Sequence, residues 1–236
     1  MLYYAALTCL APLLAVQGHR VRKNTPRLSE ASGERSGTTG DGAKIRVLIL
    51  GDSAAAGVGV EHQHDALSGC LTRSLAKQCQ VTWLLLAKSG NKTSDLIRLV
   101  KAQPKTDYDA VLLSIGVNDL LSPITEYEWQ RQQQELLSLI KAQFQSPHIL
   151  LTSVPPMEHF PAFPQPLRWC LGQRSAAFNR RLKQLISTET QCSLIQIPLE
   201  PKPTDMAIDG FHPGANIYML WGSHAANEIV KSVKLG

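Results

Sequence analysis

The chain has 236 residues and a formal net charge of +5, which is long enough for one sizeable domain with a full hydrophobic core. More than half of the charge surplus, +3, lies in residues 1–44, so the remaining sequence carries only +2. Nucleic-acid-binding proteins concentrate basic charge on the folded domain. The charge distribution therefore predicts no nucleic-acid partner.

The N-terminal segment, residues 1–23, combines an apolar run with a basic flank. Residues 2–16 are uncharged, and a basic cluster follows at 19–23. As a helix the apolar run spans about 22 Å, less than the roughly 30 Å of a bilayer core, and two more residues bring it to the lower limit for spanning. Positive charge after such a run favours an uncleaved membrane anchor with the following domain on the cytoplasmic face. The alternative is an atypical signal that is cleaved on export to the periplasm or the medium.

Residues 24–44 differ in composition from the segments on both sides. They contain four glycines with several serines and threonines and almost no large apolar residue. Such a segment cannot bury enough surface to offset its ordering entropy. We therefore expect a flexible linker over 24–44 and a folded domain over 45–236.

The folded domain alternates between two kinds of segment. Short apolar runs at 45–50, 81–87, 110–115, 149–153 and 193–197 predict buried parallel strands. Longer segments at 66–79, 93–102, 125–144, 173–188 and 215–233 predict helices. The alternation predicts an α/β fold, a three-layer doubly wound (flavodoxin-like) sandwich around a five-stranded parallel sheet. In the strand order 2-1-3-4-5, ligands bind at the carboxyl edge beside the first strand.

Four polar segments follow predicted strands, where ligands bind such a sheet. They are Gly51-Asp52-Ser53, Ser89-Gly90-Asn91, Gly116-Val117-Asn118-Asp119 and Asp209-Gly210-Phe211-His212-Pro213. Each alone is an ordinary turn sequence. In this order and spacing they resemble the blocks of the SGNH hydrolase superfamily, the GDSL-type esterases and lipases. The usual Gly-Asp-Ser-Leu reads Gly-Asp-Ser-Ala here, with Ala54 after the serine, which affects packing or pocket shape rather than the reaction.

The first and last of these segments supply a candidate catalytic triad. Ser53 is a poor nucleophile until a base removes its proton, and His212 is the candidate base. Asp209 stands three residues before His212, so one turn can bring its carboxylate to the far ring nitrogen. A connection over 198–211 is long enough to return His212 from the last strand to Ser53.

The resemblance also implies an oxyanion hole. Its donors are the backbone N–H groups of Ser53 and Gly90 and the side-chain amide of Asn118, which would stabilise the negative charge of a tetrahedral intermediate. We interpret Asp52 and Asp119 as structural residues that fix loops through backbone hydrogen bonds.

Two further features leave alternatives open. His62 and His64 could bind a metal, but no further ligand cluster accompanies them, so we expect neither a metal nor an organic cofactor. Residues 154–169 contain five prolines and several large apolar residues. This segment either lines an acyl pocket as a lid or is an ordinary proline-stiffened surface loop.

The resemblance implies a serine ester hydrolase that cleaves acyl esters or thioesters through an acyl-enzyme intermediate. Its substrate would be a small-molecule or lipid-like acyl ester, and membrane contact is expected through residues 1–23. Two alternatives are a carbohydrate O-acetyl esterase and a catalytically inactive SGNH-like binding domain.

Overall fold

The computed structural model describes residues 2–145, 147–197 and 202–233. One six-stranded sheet lies between two layers of helices. The strands are β1 (Ser36–Thr39), β2 (Lys44–Gly51), β3 (Gln80–Ala87), β4 (Ala110–Ser114), β5 (His148–Thr152) and β6 (Cys192–Ile195). The helices are α1 (Leu2–Asn24), α2 (Leu67–Leu75), α3 (Thr93–Lys101), α4 (Val117–Leu120), α5 (Glu126–Gln143), α6 (Leu167–Ile186) and α7 (Ala215–Ser232). Two 3₁₀ turns lie at Met157–His159 and Pro203–Asp205.

The strand order is β1-β3-β2-β4-β5-β6. All neighbours are parallel except β1, which runs antiparallel to β3. The five parallel strands have the predicted order, so the doubly wound α/β architecture is confirmed. The expected count of five strands is wrong by one, because β1 was not predicted.

The additional strand lies within the predicted linker. β1 pairs with β3 in the register from Ser36 opposite Leu84 to Thr39 opposite Val81, and Ala31 before it is only 5% exposed. The flexible linker predicted over 24–44 is therefore wrong for residues 31–39. Its strand is held by a backbone ladder at a sheet edge, and such a ladder requires no apolar pattern in the sequence.

The sheet buries apolar side chains on both faces. In β2, Leu48 and Leu50 point into a core with α3, α5 and α6, whereas Val47 and Ile49 point into a core with α2 and α7. Successive residues of a strand alternate between faces, so a strand covered on both sides reads as a continuous apolar run. This explains why the central strands were recognisable in the sequence.

Some boundaries differ from the predicted ones. The sixth helix begins at Leu167, six residues before the predicted start at 173, and a proline-rich run precedes it. The short helix α4 was not predicted. Of the predicted connection over 198–211, residues 198–201 lie outside the described part of the chain.

The C-terminal half of α1 contacts the folded domain. The Gln17 side chain donates to the carbonyl oxygen of Gln165 at 2.7 Å and accepts from the backbone N–H of Leu167 at 3.1 Å. Val21 packs against the core on the α6 side. Within the described ranges, no helix has the length and apolar character needed to cross a membrane.

We expect Gly222→Ala to destabilise the contact between α7 and α2. A Cβ at position 222 would lie 2.6 Å from Cβ of Cys70 and 2.7 Å from the backbone nitrogen of Leu71. Overpacking of this kind costs about 1–3 kcal/mol and should outweigh the gain in helix propensity of about 1 kcal/mol. Urea denaturation measures the free energy of unfolding.

Gly18→Ala is the matched control, because a Cβ at this helical glycine meets no atom within 4 Å. It should leave stability unchanged or raise it. An equal gain in both variants would contradict the close packing of α7 on α2.

Candidate active site

Ser53, His212 and Asp209 form a continuous chain of hydrogen-bond contacts. The His212 Nε2 atom lies 3.0 Å from Ser53 Oγ, and His212 Nδ1 lies 2.6 Å from Asp209 Oδ2. The other carboxylate oxygen of Asp209 accepts from the backbone N–H groups of Phe211 and His212, at 2.9 and 3.0 Å. The structure therefore brings together the three residues predicted as a triad.

The environment of Asp209 keeps its carboxylate charged. Its side chain is 1% exposed, and burial alone would raise its pKa. The hydrogen bonds from the His212 ring and from the backbone N–H groups of His212 and Phe211 outweigh this effect and hold the pKa below its ordinary value. The residue is thus suited to orient the imidazole and to stabilise its protonated form.

Ser53 lies on a tight turn directly after β2. A Cβ at Gly51 would be 2.4 Å from Cβ of Ala55 and 2.5 Å from the carbonyl oxygen of Ser114, so only glycine fits there. Beyond the serine, the backbone N–H of Val58 donates to the Ser53 carbonyl at 3.0 Å. The turn holds Ser53 at the carboxyl edge of the sheet.

Asp209 and His212 lie in a tight hairpin loop. The Ala207 N–H donates to the His212 carbonyl, and the Gly210 N–H donates to the Ala207 carbonyl, both at 2.9 Å. Gly210 has φ +64°, a left-handed conformation that glycine adopts without strain. This loop turns the Asp209 side chain toward His212 and the His212 ring toward Ser53.

Two contacts fix the hairpin loop against the turn that carries Ser53. A Cβ at Gly59 would lie 2.2 Å from the Pro213 carbonyl oxygen, so the two backbones touch. The hydroxyl of Tyr218 in α7 donates to the Val58 carbonyl at 2.7 Å, and Tyr218 is fully buried. These contacts set the distance between His212 and Ser53.

The predicted oxyanion residues lie on the loops after β3 and β4, on either side of Ser53. The Asn118 amide donates to the Asn91 carbonyl at 2.9 Å, and the Asn91 amide donates to the Gly51 carbonyl at 3.0 Å. Gly90 is exposed with φ +86°. Within the described ranges, the backbone N–H groups of Ser53 and Gly90 donate to no protein group.

Asp119 fixes the loop that carries Asn118. Its carboxylate, 1% exposed, accepts from the Thr93 N–H at 3.0 Å and from the Thr93 hydroxyl at 2.9 Å. The same hydroxyl accepts from Trp129 Nε1 and Gln133 Nε2. Asp119 thus caps the N-terminus of α3, a structural role as interpreted from the sequence.

Sequence reasoning assigned no role to Asn91 or Thr93. Asn91 belongs to Ser89-Gly90-Asn91, one of the four polar segments at predicted strand ends. Its position in the sequence therefore indicates that it lies at the site. The role of Thr93 depends on tertiary contacts with α5 that no local pattern reports.

Asp52 is also a buried structural residue, but its environment differs from that of Asp209. It is 3% exposed, and one carboxylate oxygen accepts from the Ala54 N–H at 3.1 Å. Burial raises the pKa of Asp52 to about 7, assisted by the negative charge of Asp119 and opposed by the Ala54 hydrogen bond. The carboxyl group therefore titrates near neutral pH.

A cavity of about 110 Å³ opens beside Ser53 and His212. Its walls are mostly apolar and come from the ends of β4 and β5, from the segment after β5, and from α7. Of the proline-rich segment, Val154, Pro155, Pro156 and Phe160 line the cavity. Phe160 also contacts Phe211 edge-on, with ring centroids 5.8 Å apart. The segment therefore forms part of the pocket wall.

The two histidines considered as metal ligands have other neighbours. His62 Nδ1 lies 2.9 Å from the Ser32 hydroxyl, and His64 Nδ1 lies 3.0 Å from the Asp65 carboxylate. In the part of the chain that the structure describes, no group of three or more His, Cys, Asp and Glu side chains is placed to hold a metal ion.

The sequence matches the model of the GDSL-like lipase/acylhydrolase family over residues 49–220, and the chain belongs to this family. No curated protein matches the chain. The protein is a carboxylic ester hydrolase of the GDSL/SGNH type.

Solved structures with the same fold include several esterases. A carbohydrate esterase family 2 enzyme with a carbohydrate-binding domain, from Corynascus thermopiles (Myceliophthora fergusii), is 16% identical with a TM-score of 0.68, and the match covers 82% of this chain and 68% of that one. The psychrotrophic esterase EstA from Pseudoalteromonas sp. is 21% identical, with a TM-score of 0.59 and coverage of 80% and 96%. Est24, a carbohydrate acetylesterase from Sinorhizobium meliloti, is 17% identical, with a TM-score of 0.59 and coverage of 79% and 99%.

We expect Asp52→Asn to change how stability depends on pH. The pKa of Asp52 is raised from 3.8 to about 7 in the folded protein, so between these values the folded state binds more protons than the unfolded chain. The stability from protonated Asp52 is present below the unfolded pKa and is lost as the pH rises through about 7. The uncharged asparagine keeps an acceptor for the Ala54 N–H. The free energy of unfolding of the variant, relative to that of the wild type, should therefore rise as the pH is raised from about 5 to about 8.

Urea denaturation at both pH values tests this expectation, with Asp107→Asn at an exposed position as the control. The control should follow the wild-type pH dependence. A stability difference between Asp52→Asn and the wild type that stays constant with pH would contradict the assignment.

Proposed function

We propose that Ser53 is the nucleophile of a two-step ester hydrolysis. Ser53 Oγ attacks the carbonyl carbon while His212 Nε2 takes its proton, and the tetrahedral intermediate then expels the alcohol or thiol, which His212 protonates. A water molecule, deprotonated by His212, attacks the resulting acyl-enzyme and frees the acid and Ser53. The observation that carries the proposal is the contact chain of 3.0 Å from Ser53 to His212 and 2.6 Å from His212 to Asp209.

The oxyanion hole in this proposal consists of the Ser53 and Gly90 backbone N–H groups and the Asn118 amide. Support comes from the two backbone groups, which donate to no described protein group. An asparagine amide has two N–H donors, and Asn118 uses one of them on Asn91. The second has no partner among the described residues and can meet negative charge as it develops on the substrate oxygen.

The cavity supports a small-molecule or lipid-like acyl ester with one short substituent next to the carbonyl. Its volume of about 110 Å³ and its mainly apolar walls suit a short chain.

Two of the similar structures are described as a carbohydrate esterase and a carbohydrate acetylesterase, and these favour a carbohydrate O-acetyl esterase as the second candidate. An inactive binding domain is disfavoured, since binding alone does not require the Ser53–His212–Asp209 contacts.

We expect Ser53→Ala to abolish hydrolysis of a chromogenic ester without unfolding the protein, since only a small, partly exposed hydroxyl is removed. Covalent labelling by a fluorophosphonate, located by peptide mass spectrometry, should disappear with it. Ser223→Ala, at a partly exposed position of α7 outside the cavity lining, is the control and should retain both. Turnover above about one per cent of the wild-type rate in Ser53→Ala would remove Ser53 as the nucleophile, because loss of a triad nucleophile costs far more than about 10².

We expect Asn118→Ala to lower kcat by about 10²–10³ with KM little changed, because its free N–H binds the transition state more strongly than the substrate. Steady-state kinetics over a substrate range separates the two constants. Labelling of Ser53 should slow but persist. A raised KM with unaltered kcat would instead make Asn118 a substrate-positioning residue.

We also propose that residues 1–23 associate the hydrolase with a membrane, with the domain on the cytoplasmic face. After its apolar run, α1 ends on the basic residues Arg22 and Lys23, which suit contact with anionic lipid headgroups. The protein should then appear in the membrane fraction with residues 1–23 intact by mass spectrometry. A mature N-terminus near Gly18 or His19 would favour the exported alternative.

A further inference from the structure

Two residues that line the cavity beside Ser53 each carry a buried polar atom without a hydrogen-bond partner among the described residues. Thr152 at the end of β5 and Trp221 in α7 both line the cavity, and they are 8% and 3% exposed. Within the described ranges, Thr152 Oγ1 and Trp221 Nε1 make no hydrogen bond. A ligand in the cavity that both residues line would supply a partner for them.

The chemistry of the two atoms defines what they can bind. A buried polar atom without a hydrogen bond destabilises the folded protein, because it has lost its contact with water. An indole N–H only donates, whereas a threonine hydroxyl can donate and accept. Both atoms are thus complementary to an oxygen, and the walls around them include the aliphatic side chains of Ile115 and Val117. The residues that line the cavity thus supply an aliphatic surface and two groups whose chemistry suits an oxygen.

We propose that this cavity binds an ester substituent that carries an ether or hydroxyl oxygen, with Trp221 Nε1 and Thr152 Oγ1 donating to it. The inference rests on the proposed function, since the substituent belongs to an ester attacked by Ser53. It goes further by naming the substrate class, esters with a short oxygen-bearing substituent. The substituent can be the acyl group or the alcohol, and the experiment separates these sources.

The test compares isosteric ester pairs that differ by one oxygen. The acyl pair is the p-nitrophenyl esters of methoxyacetic and butyric acid, and the alcohol pair is 2-methoxyethyl and butyl acetate. For each pair the ratio of kcat/KM is measured in the wild type and in Trp221→Phe and Thr152→Val. Intrinsic reactivity cancels when the ratios of wild type and variant are compared.

In one of the two pairs, the preference for the oxygen-bearing ester should fall about 3- to 10-fold in each variant, the loss expected for one neutral hydrogen bond. The controls are Trp169→Phe and Thr188→Val, which lie outside the cavity lining and should leave the ratios unchanged. Unchanged ratios in both pairs for Trp221→Phe and Thr152→Val would mean that water satisfies the two atoms, which overturns the proposal.

A binding measurement keeps this inference separate from the proposed function. Calorimetry with Ser53→Ala compares the affinities of methyl methoxyacetate and methyl butyrate, and of the 2-methoxyethyl and butyl acetates, without turnover. A preference for the oxygen-bearing ester that is lost in Trp221→Phe supports the cavity assignment even if Ser53 proves not to be the nucleophile. Equal affinities within both pairs overturn it.

A second inference rests on different contacts, those of residues 30–39, here called the N-terminal strap. One carboxylate oxygen of Glu30 accepts from the Ser89 backbone N–H at 2.6 Å, and the other accepts from Arg35 at 2.6 Å. Arg35 also donates to the Ala87 carbonyl at 2.8 Å. The strap therefore holds the chain at the residue directly before Gly90 and at the end of β3.

On its other side, the loop that carries Gly90 is held through Asn91, which donates to the Gly51 carbonyl and accepts from the Asn118 amide. A Cβ at Gly90 would meet no atom within 4 Å, so no packing fixes the glycine from its open side. Burial alone would raise the pKa of Glu30, but the hydrogen bonds from Ser89 and Arg35 lower it below its ordinary value. The Glu30 carboxylate is thus charged at neutral pH and binds the Ser89 N–H through a charge-assisted bond.

The strap also contacts the turn that carries Ser53. The Ala31 N–H donates to the Ala56 carbonyl at 3.3 Å. The Gln63 side-chain amide donates to the carbonyl oxygens of both Ala31 and Ala56, at 3.1 and 2.9 Å. The same short segment thus holds both the nucleophile turn and the Gly90 loop.

We infer that Glu30 and Arg35 are positioning residues that set the Gly90 N–H relative to Ser53. This inference also rests on the proposed function. It predicts that Glu30→Ala lowers kcat by about 10- to 100-fold, the size expected for a misplaced donor, with KM little changed. Glu30→Gln should recover part of kcat, because its amide oxygen still accepts from Ser89. Glu135→Ala, which breaks the exposed Lys101–Glu135 pair, is the control and should keep the wild-type kcat.

Kinetics and urea denaturation of the same samples decide the outcome. A kcat within about twofold of the wild type in a folded Glu30→Ala protein would overturn the inference. If Glu30→Ala does not fold, Glu30→Gln and Arg35→Gln decide it in the same way, because each keeps part of the hydrogen-bond set. Ser53→Ala, measured in parallel, reports separately on the proposed nucleophile.

Discussion

The contact between His212 and Ser53 joins two loops that are 159 residues apart in sequence, and the geometry of the whole site depends on it. A hydrogen bond of 3.0 Å tolerates little error in the placement of either loop. The structure meets this requirement with backbone contacts, since Gly59 touches the Pro213 carbonyl and Tyr218 binds the Val58 carbonyl. Neither contact uses the side chains of Ser53, His212 or Asp209, so the two loops are held together independently of the proposed catalytic groups.

Two buried aspartates near Ser53 have pKa values that are shifted in opposite directions. Asp209 and Asp52 are both buried, yet the pKa of Asp209 lies below its ordinary value and that of Asp52 is raised to about 7. Three donors, the His212 ring and two backbone N–H groups, meet the carboxylate of Asp209, whereas the Ala54 N–H is the main donor to Asp52. Burial penalises both charges. At Asp209 the hydrogen bonds outweigh burial, whereas at Asp52 they do not, and the negative charge of Asp119 raises the pKa further. Of the two, Asp209 is the carboxylate that contacts His212.

Much of the fold and the residues of the site were predictable from the sequence, because they leave local signals. The central strands read as continuous apolar runs, and the four polar segments stand at strand ends in recognisable spacing. β1 was missed because the backbone ladder that holds it leaves no apolar pattern. Thr93 and Glu30 were missed for a related reason, since their contacts join positions far apart in the sequence. A single sequence reports periodicity and turn chemistry but not which distant backbone groups will meet.

The site divides into two halves on either side of Ser53. On the β3 side lie Gly90 and the strap that holds its loop; Asn118 joins this half through its bond to Asn91. On the other side the ends of β4 and β5 and α7 form the cavity, where Thr152 and Trp221 supply polar groups. The first half is held by hydrogen bonds to backbone, which admit few alternatives. The second is built from side chains, which can change in size and polarity without moving that backbone. In the proposed mechanism, such a division lets substrate preference vary while the geometry around the reacting carbonyl is kept.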